Sequence, residues 1–128
     1  MKKILIVDDE PNIVILMEQI LEELEDEGVS ILTAKNGEEA LETIKKEQPN
    51  LVFLDVMMPY ISGLEVCETI KKDDYLSNIY IILLTARGQS FDEANGFKAG
   101  ADLYITKPFR PKDVLLKSKE ILGIDQVS

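Results

Sequence analysis

The sequence predicts one α/β domain: a parallel five-stranded sheet, doubly wound, with helices covering both faces. Three observations predict it. Short apolar runs alternate strictly with helical patterns along the chain, as parallel strands joined by right-handed crossovers require. The runs are nearly continuous in apolar residues, as strands buried on both sides must be. Acidic, hydroxyl and lysine residues gather where the runs end, the edge at which open α/β sheets bind ligands.

Taken in order, Lys3–Val7 is the first strand, and it runs straight into Asp8, Asp9 and Glu10. Pro11 suits the first turn of a helix, where its missing N–H is an orphan anyway. Ile13, Leu16, Met17, Ile20, Leu21 and Leu24 form that helix's apolar stripe. Gly28 can close it with φ > 0. Val29–Ala34 is the second strand. Asn36, with Glu39 three residues on, has the spacing of a capping box for a helix carrying Ala40, Leu41 and Ile44. Pro49 stops that helix.

Leu51–Leu54 is the third strand and ends in Asp55. Gly63 lets the backbone turn, and Leu64–Lys72 is the third helix. Ile79–Leu84 is the fourth strand, ending in Thr85. Ser90–Ala99 is a helix closed by Gly100. Leu103–Ile105 is a short fifth strand, followed by Thr106 and Lys107, and Pro111 opens a last helix through Leu122. Residues 1–122 thus form the domain, and 123–128 a tail or the start of a linker.

The chain has 128 residues, a net charge of −10 and 45% apolar residues, enough for one domain with a real core. No apolar run approaches the roughly 20 residues of a transmembrane helix, and the N-terminus lacks the pattern of a signal peptide. One cysteine, Cys67, excludes an internal disulfide, and the absence of histidine excludes the usual zinc sets. A reducing, cytoplasmic setting is expected. The acidic balance disfavours direct nucleic-acid binding and favours basic protein partners and divalent cations.

If the first and third strands are neighbours, they lie about 4.8 Å apart, and Asp8, Asp9 and Asp55 share one pocket. Carboxylates so placed repel, and at least one is pushed to a high pKa unless a cation intervenes. Mg²⁺ suits such a set, because it takes a few carboxylate oxygens together with waters and a phosphate oxygen. Lys107 adds a point charge and Thr85 a hydroxyl donor. The combination is that of a phosphoryl-transfer site with a carboxylate available as nucleophile.

The stretches "ILIVDDEP", "NGEEAL", "PNLVFLDVMMPYISGLEV", "IILLTA" and "GADLYITKPF" carry a resemblance. Over residues 2 to 122 the chain resembles the receiver domain of two-component response regulators, the CheY-like family. The resemblance implies a flavodoxin-like (βα)5 fold with strand order 2-1-3-4-5. It implies that Asp55 accepts a phosphoryl group from a sensor histidine kinase or a histidine phosphotransfer protein, with small acyl phosphates as substitutes. It implies a Mg²⁺ site, open also to Mn²⁺, made by Asp8, Asp9, Asp55 and the backbone carbonyl of Met57. Thr85 and Lys107 complete the catalytic set, Thr85 and Tyr104 form the switch, and the Lys107–Pro108 peptide is cis. None of these positions departs from the family pattern.

The implied switch brings Thr85 onto the phosphoryl group, turns Tyr104 inward, and remodels the face of the fourth helix, fifth strand and fifth helix for an output partner or output domain. Ile13, Val14, Met17 and Pro108 map to the kinase-docking face. A monomer or a phosphorylation-dependent dimer fits, with no membrane partner. The domain promotes its own phosphorylation and dephosphorylation but turns over no free substrate, so it is not an enzyme in the usual sense.

Plainer readings stand beside these. Asp8 and Asp9 could cap a helix, Thr85 could merely end a strand, and Tyr104 could be a static core aromatic. Cys67 is a small, half-buried helix residue, Met57 and Met58 are loop packing, and the role of Arg87 stays open. Among other functions, a receiver-like adaptor that is never phosphorylated keeps the same residues. A haloacid dehalogenase-type phosphatase wants its nucleophile at the end of the first strand, with an aspartate two residues later, where this chain has Glu10. A flavodoxin-like electron carrier wants a phosphate loop and flanking aromatics where this chain has acids and no tryptophan.

Overall fold

A computed structural model describes residues 2–86 and 97–124. Its sheet contains β1 (Lys2–Val7), β2 (Val29–Ala34), β3 (Leu51–Asp55), β4 (Tyr80–Ala86) and β5 (Leu103–Lys107). All pairs are parallel, in the order β2-β1-β3-β4-β5, as the resemblance implies. Helices α1 (Pro11–Leu21), α2 (Gly37–Glu47) and α3 (Gly63–Lys71) and a C-terminal helix (Pro111–Leu122) flank it.

The strands are apolar throughout because each face has its own core. Successive strand side chains point to opposite faces. Leu5, Val7, Val52, Leu54, Ile81 and Leu83 meet α2 and α3 through Ala40, Ile44, Val66 and Ile70. Ile4, Ile6, Leu51, Phe53, Ile82 and Leu84 meet α1 and the C-terminal helix through Met17, Leu21, Val114 and Leu122. Burying both faces of a strand leaves its end as the one place where a polar side chain reaches water.

The local signals behave as their chemistry dictates. Pro11 and Pro111 open helices whose N-cap side chains make no capping bond. The Asn36 side chain accepts the Glu39 N–H at 2.8 Å. Gly28, at φ +82°, closes a 3₁₀ turn over Glu22–Glu27, in which Leu24 is fully buried. Gln48, at φ 47°, ends α2 just before Pro49.

Several expectations need correction. Strand β4 begins at Tyr80, because the Ile79 N–H closes a turn onto Leu76 O. Strands β4 and β5 run further than their apolar residues, pairing Thr85 with Thr106 and Ala86 with Lys107. Met17 faces the core and is wholly buried, so it belongs to no docking face; the exposed apolar residues of α1 are Ile15 and Leu16. Cys67 is fully buried, not half-buried. Gly63 is needed for closeness and not for a turn: a Cβ there would lie 2.1 Å from Asp55 O. The expected Ser90–Ala99 helix falls largely outside the described residues, as does Arg87; Phe97 and Lys98 are helical, and Gly100 follows at φ +100°.

Candidate functional site

The chain leaves β1 toward β2 on one side and returns to β3 on the other. A crevice opens where the order reverses, at the carboxyl ends of β1 and β3. The register decides what enters it. Val7 pairs with Leu54, so Asp8 stands level with Asp55. Asp55 pairs with Leu84, one residue before Thr85, and Ala86 pairs with Lys107. Residues far apart in sequence therefore end at one point.

Asp8, Asp9 and Asp55 each offer a carboxylate oxygen within 4.8 Å of the others. Asp8 and Asp55 are buried and Asp9 is exposed, so the group opens to solvent on one side. Both Asp8 oxygens are engaged: Oδ1 accepts the Glu10 N–H at 2.9 Å and Oδ2 accepts Lys107 Nζ at 2.8 Å. The first of these bonds carries the chain from β1 into α1. Asp8 and Asp9 both precede the N-cap, which is Glu10, so neither caps α1.

Lys107 Nζ also lies 3.6 Å from Asp55 Oδ1 and 3.7 Å from Glu10 Oε1. Burial alone would lower its pKa, but the Asp8, Asp55 and Glu10 carboxylates together raise it, so this lysine stays charged. Asp55 is pushed the other way, up to about 7. Burial is the main cause and the Asp8 charge the next, with Lys107 and the Met57 N–H opposing and a hydrogen bond with Asp9 reinforcing. One lysine thus faces more carboxylates than it can neutralise. The donor set fits a hard divalent cation: oxygen ligands only, clustered, partly open to water, with charge still to be balanced.

Of the remaining expected residues, among those described, only Met57 bonds directly to this cluster. The Met57 N–H donates to Asp55 Oδ1 at 3.3 Å, and the Met57 side chain is exposed, whereas Met58 is buried. Thr85 is buried, and its hydroxyl is 3.5 Å from that of Thr106. Tyr104 pairs with Leu83 and sets its ring edge-on to Phe97, centroids 5.8 Å apart. The Lys107–Pro108 peptide is cis. Cys67 is not part of the site: its thiol donates to Ala99 O at 3.6 Å, and burial pushes it up to about 11, far from a reactive thiolate.

Sequence reasoning left out Glu10 and Thr106. Glu10 belongs to the same acidic run as Asp8, which was signal enough to include it. Thr106 carries none, since only the strand pairing brings its hydroxyl to Thr85.

Fold and pocket together are those of a flavodoxin-like α/β domain with an acidic, lysine-bearing site at the reversal of strand order. The chain belongs to the response regulator receiver domain family, whose sequence model matches residues 4–119. It is 42% identical over 127 residues to the alkaline phosphatase synthesis transcriptional regulatory protein PhoP of Bacillus subtilis, covering 99% of this chain and 51% of that protein. It is 41% identical over 121 residues to the phosphate regulon transcriptional regulatory protein PhoB of Pseudomonas aeruginosa, covering 94% and 52%. A crystal structure of a CheY-like receiver domain protein from Methanospirillum hungatei superposes with a TM-score of 0.84 at 36% identity, covering 96% of this chain and 94% of that one. The chain spans about half the length of these curated relatives. Receiver domains are phospho-accepting signalling switches, and that family function fits the acidic pocket. Among the described residues no helix is long and apolar enough to cross a membrane.

Proposed function

We propose that this chain is a signalling switch that takes a phosphoryl group onto Asp55 from a histidine kinase or a phosphotransfer protein in the cytoplasm. The observation that carries the reading is the convergence of Lys107, Asp8 and Asp9 on the Asp55 carboxylate. An Asp55 oxygen attacks phosphorus, the bond to the donor nitrogen breaks, and the departing imidazole keeps the electron pair and takes up a proton. Lys107 balances negative charge that develops beside Asp55, and the Met57 N–H holds the carboxylate in place. Asp8, Asp9, Asp55 and the Met57 carbonyl would hold Mg²⁺, or Mn²⁺ in its place, which supplies charge neutralisation at the phosphoryl oxygens. With Asp55 raised to about 7, a cation in the pocket also keeps the acceptor ionised at neutral pH.

In this reading Thr85, at the end of β4, leaves Thr106 and donates to the phosphoryl group; its position one residue beyond the Asp55–Leu84 pair supports this. Tyr104 then repacks and changes the face that an output partner reads, shifting the population of two conformations. Ile13, Val14 and Pro108, with Ile15 and Leu16, supply the surface a kinase would meet. No free substrate is turned over, because the product stays bonded to Asp55. The net charge of −10 supports a protein partner and not direct nucleic-acid contact by this chain.

The test is intact mass after incubation with acetyl phosphate, with and without Mg²⁺, beside Asp55→Ala. One added phosphoryl group that needs both Mg²⁺ and Asp55 is expected. A folded protein that gains none from acetyl phosphate or from a panel of histidine kinases is instead the adaptor that keeps the pocket without the chemistry.

A further inference from the structure

We propose that Gly63 and Gly37 are positioning residues that gauge the β3–α3 loop from two sides and so set the geometry of the metal site; this rests on the reading of that site given above. An ideal Cβ on Gly63 would lie 2.1 Å from Asp55 O, 2.8 Å from Asp55 C and 2.9 Å from Val56 Cα. All three are backbone atoms of the phospho-acceptor and its neighbour, so no side chain can swing aside. The Gly63 N–H also donates to Val56 O at 3.0 Å. The first residue of α3 therefore rests directly on the peptide that carries Asp55.

Gly37, the first residue of α2, meets the other end of the same loop. A Cβ there would lie 2.8 Å from Ile61 O and 2.9 Å from Ile61 Cβ. Neither glycine is required by a left-handed φ; both are required by space. Two helix starts thus press on the loop at its ends, at Asp55–Val56 and at Ile61. Its sheet side is fixed as well, since the Val56 N–H donates to Leu84 O at 3.0 Å.

The consequence falls on the ligands. The loop leaves Asp55 and carries the Met57 carbonyl. A methyl at Gly63 must push α3 outward or the Asp55–Met57 backbone inward, and the inward part moves two ligands of one ion. Mg²⁺ demands near-ideal octahedral geometry at about 2.0–2.1 Å, whereas Ca²⁺ accepts irregular shells at about 2.3–2.6 Å. A displaced loop therefore weakens Mg²⁺ more than Ca²⁺. General destabilisation does not alter that ratio, because it lowers the folded fraction equally for both ions.

The experiment titrates the parent, Gly63→Ala and Gly37→Ala with MgCl2 and with CaCl2, following amide shifts by NMR in the folded protein. Gly63→Ala should weaken Mg²⁺ by about tenfold or more and Ca²⁺ by about threefold or less. Gly37→Ala should lower the Mg²⁺/Ca²⁺ preference in the same direction by a smaller factor, since Ile61 lies further from the ligands. If Gly63→Ala does not fold, Gly37→Ala decides alone. A parental Mg²⁺/Ca²⁺ ratio in the folded variants overturns the proposal while leaving the site intact. A parent that binds neither ion removes the metal reading, and this proposal with it.

Discussion

The two edges of the sheet treat charge in opposite ways. At the amino edge, Lys71 donates to Ser77 O at 3.1 Å, Ile79 O at 2.6 Å and Asp102 Oδ2 at 2.9 Å. Asp102 Oδ2 also accepts the Ile81 N–H at 2.8 Å, and the Lys71 stem packs where a Cβ on Gly100 would be. One cation meets one carboxylate and two carbonyls, all within bonding distance, and the cluster ties α3 to the starts of β4 and β5. At the carboxyl edge, Lys107 alone among the described residues faces Asp8, Asp55 and Glu10. The first cluster is balanced and holds the fold. The second is left with excess negative charge, as a cluster that fits a divalent cation would be.

The sharpest way to break this comparison is Lys71→Met. It keeps most of the stem but removes the donor shared by Asp102 and two carbonyls, leaving Asp102 only the Ile81 N–H and solvent, so a loss on the order of 2 kcal/mol is expected in urea unfolding. A loss too small to detect would mean that the amino-edge cluster contributes as little as an exposed ion pair.

The opposite sign is expected at the other edge. Asp55 is raised from 3.8 to about 7, so the folded state keeps this proton to higher pH than the unfolded chain does. Stability is therefore lost as pH rises from about 4 to about 7, and the penalty persists above that. Without divalent cations, Asp55→Asn should be more stable than the parent by on the order of 2 kcal/mol at pH 8. The gap should close as the pH falls to about 4. Thermal unfolding at several pH values measures it, and a gap independent of pH would show that Asp55 carries no such penalty.

Saturating Mg²⁺ should stabilise the parent through the same pocket, by about 1.4 kcal/mol at a free concentration ten times Kd. Asp55→Asn should gain less, and thermal unfolding in the presence of EDTA gives the baseline. The smallest effect is expected at Tyr60, fully exposed in the β3–α3 loop and held at φ 68°. Left-handed backbone disfavours any side chain with a Cβ, so Tyr60→Gly should raise stability by about 0.5 kcal/mol. A fall instead would show that the tyrosine ring makes a contact worth more than the strain.

Much of the site was legible because it is written at strand ends. A strand buried on both faces takes a charge only at its end, so "ILIVDD" and "VFLD" locate both an element boundary and a candidate site position. Asp8, Asp9, Asp55, Thr85 and Lys107 could be named this way; the structure clusters the three aspartates with Lys107, while the Thr85 hydroxyl lies by Thr106. The apolar stripe put Met17 rightly in the core, and only the resemblance set it on a docking face; Leu16, on the same stripe, is exposed because it lies at the stripe's margin. Gly63 was misjudged because a glycine shows no contacts in sequence, and its role here is the approach of Asp55 O, eight residues earlier.

What the sequence determined by itself was local. Apolar runs, prolines at helix starts, Asn36 as a cap and Gly28 as a stop act through neighbouring backbone groups, so residue order suffices to read them. Tertiary structure alone decided the rest: the pairing of Thr85 with Thr106, the reach of Glu10 to Lys107, the Lys71–Asp102 tie and the rise of Asp55 to about 7. Each depends on register between parallel strands, on helix rotation or on exclusion of water. Those quantities exist only once distant segments are packed together.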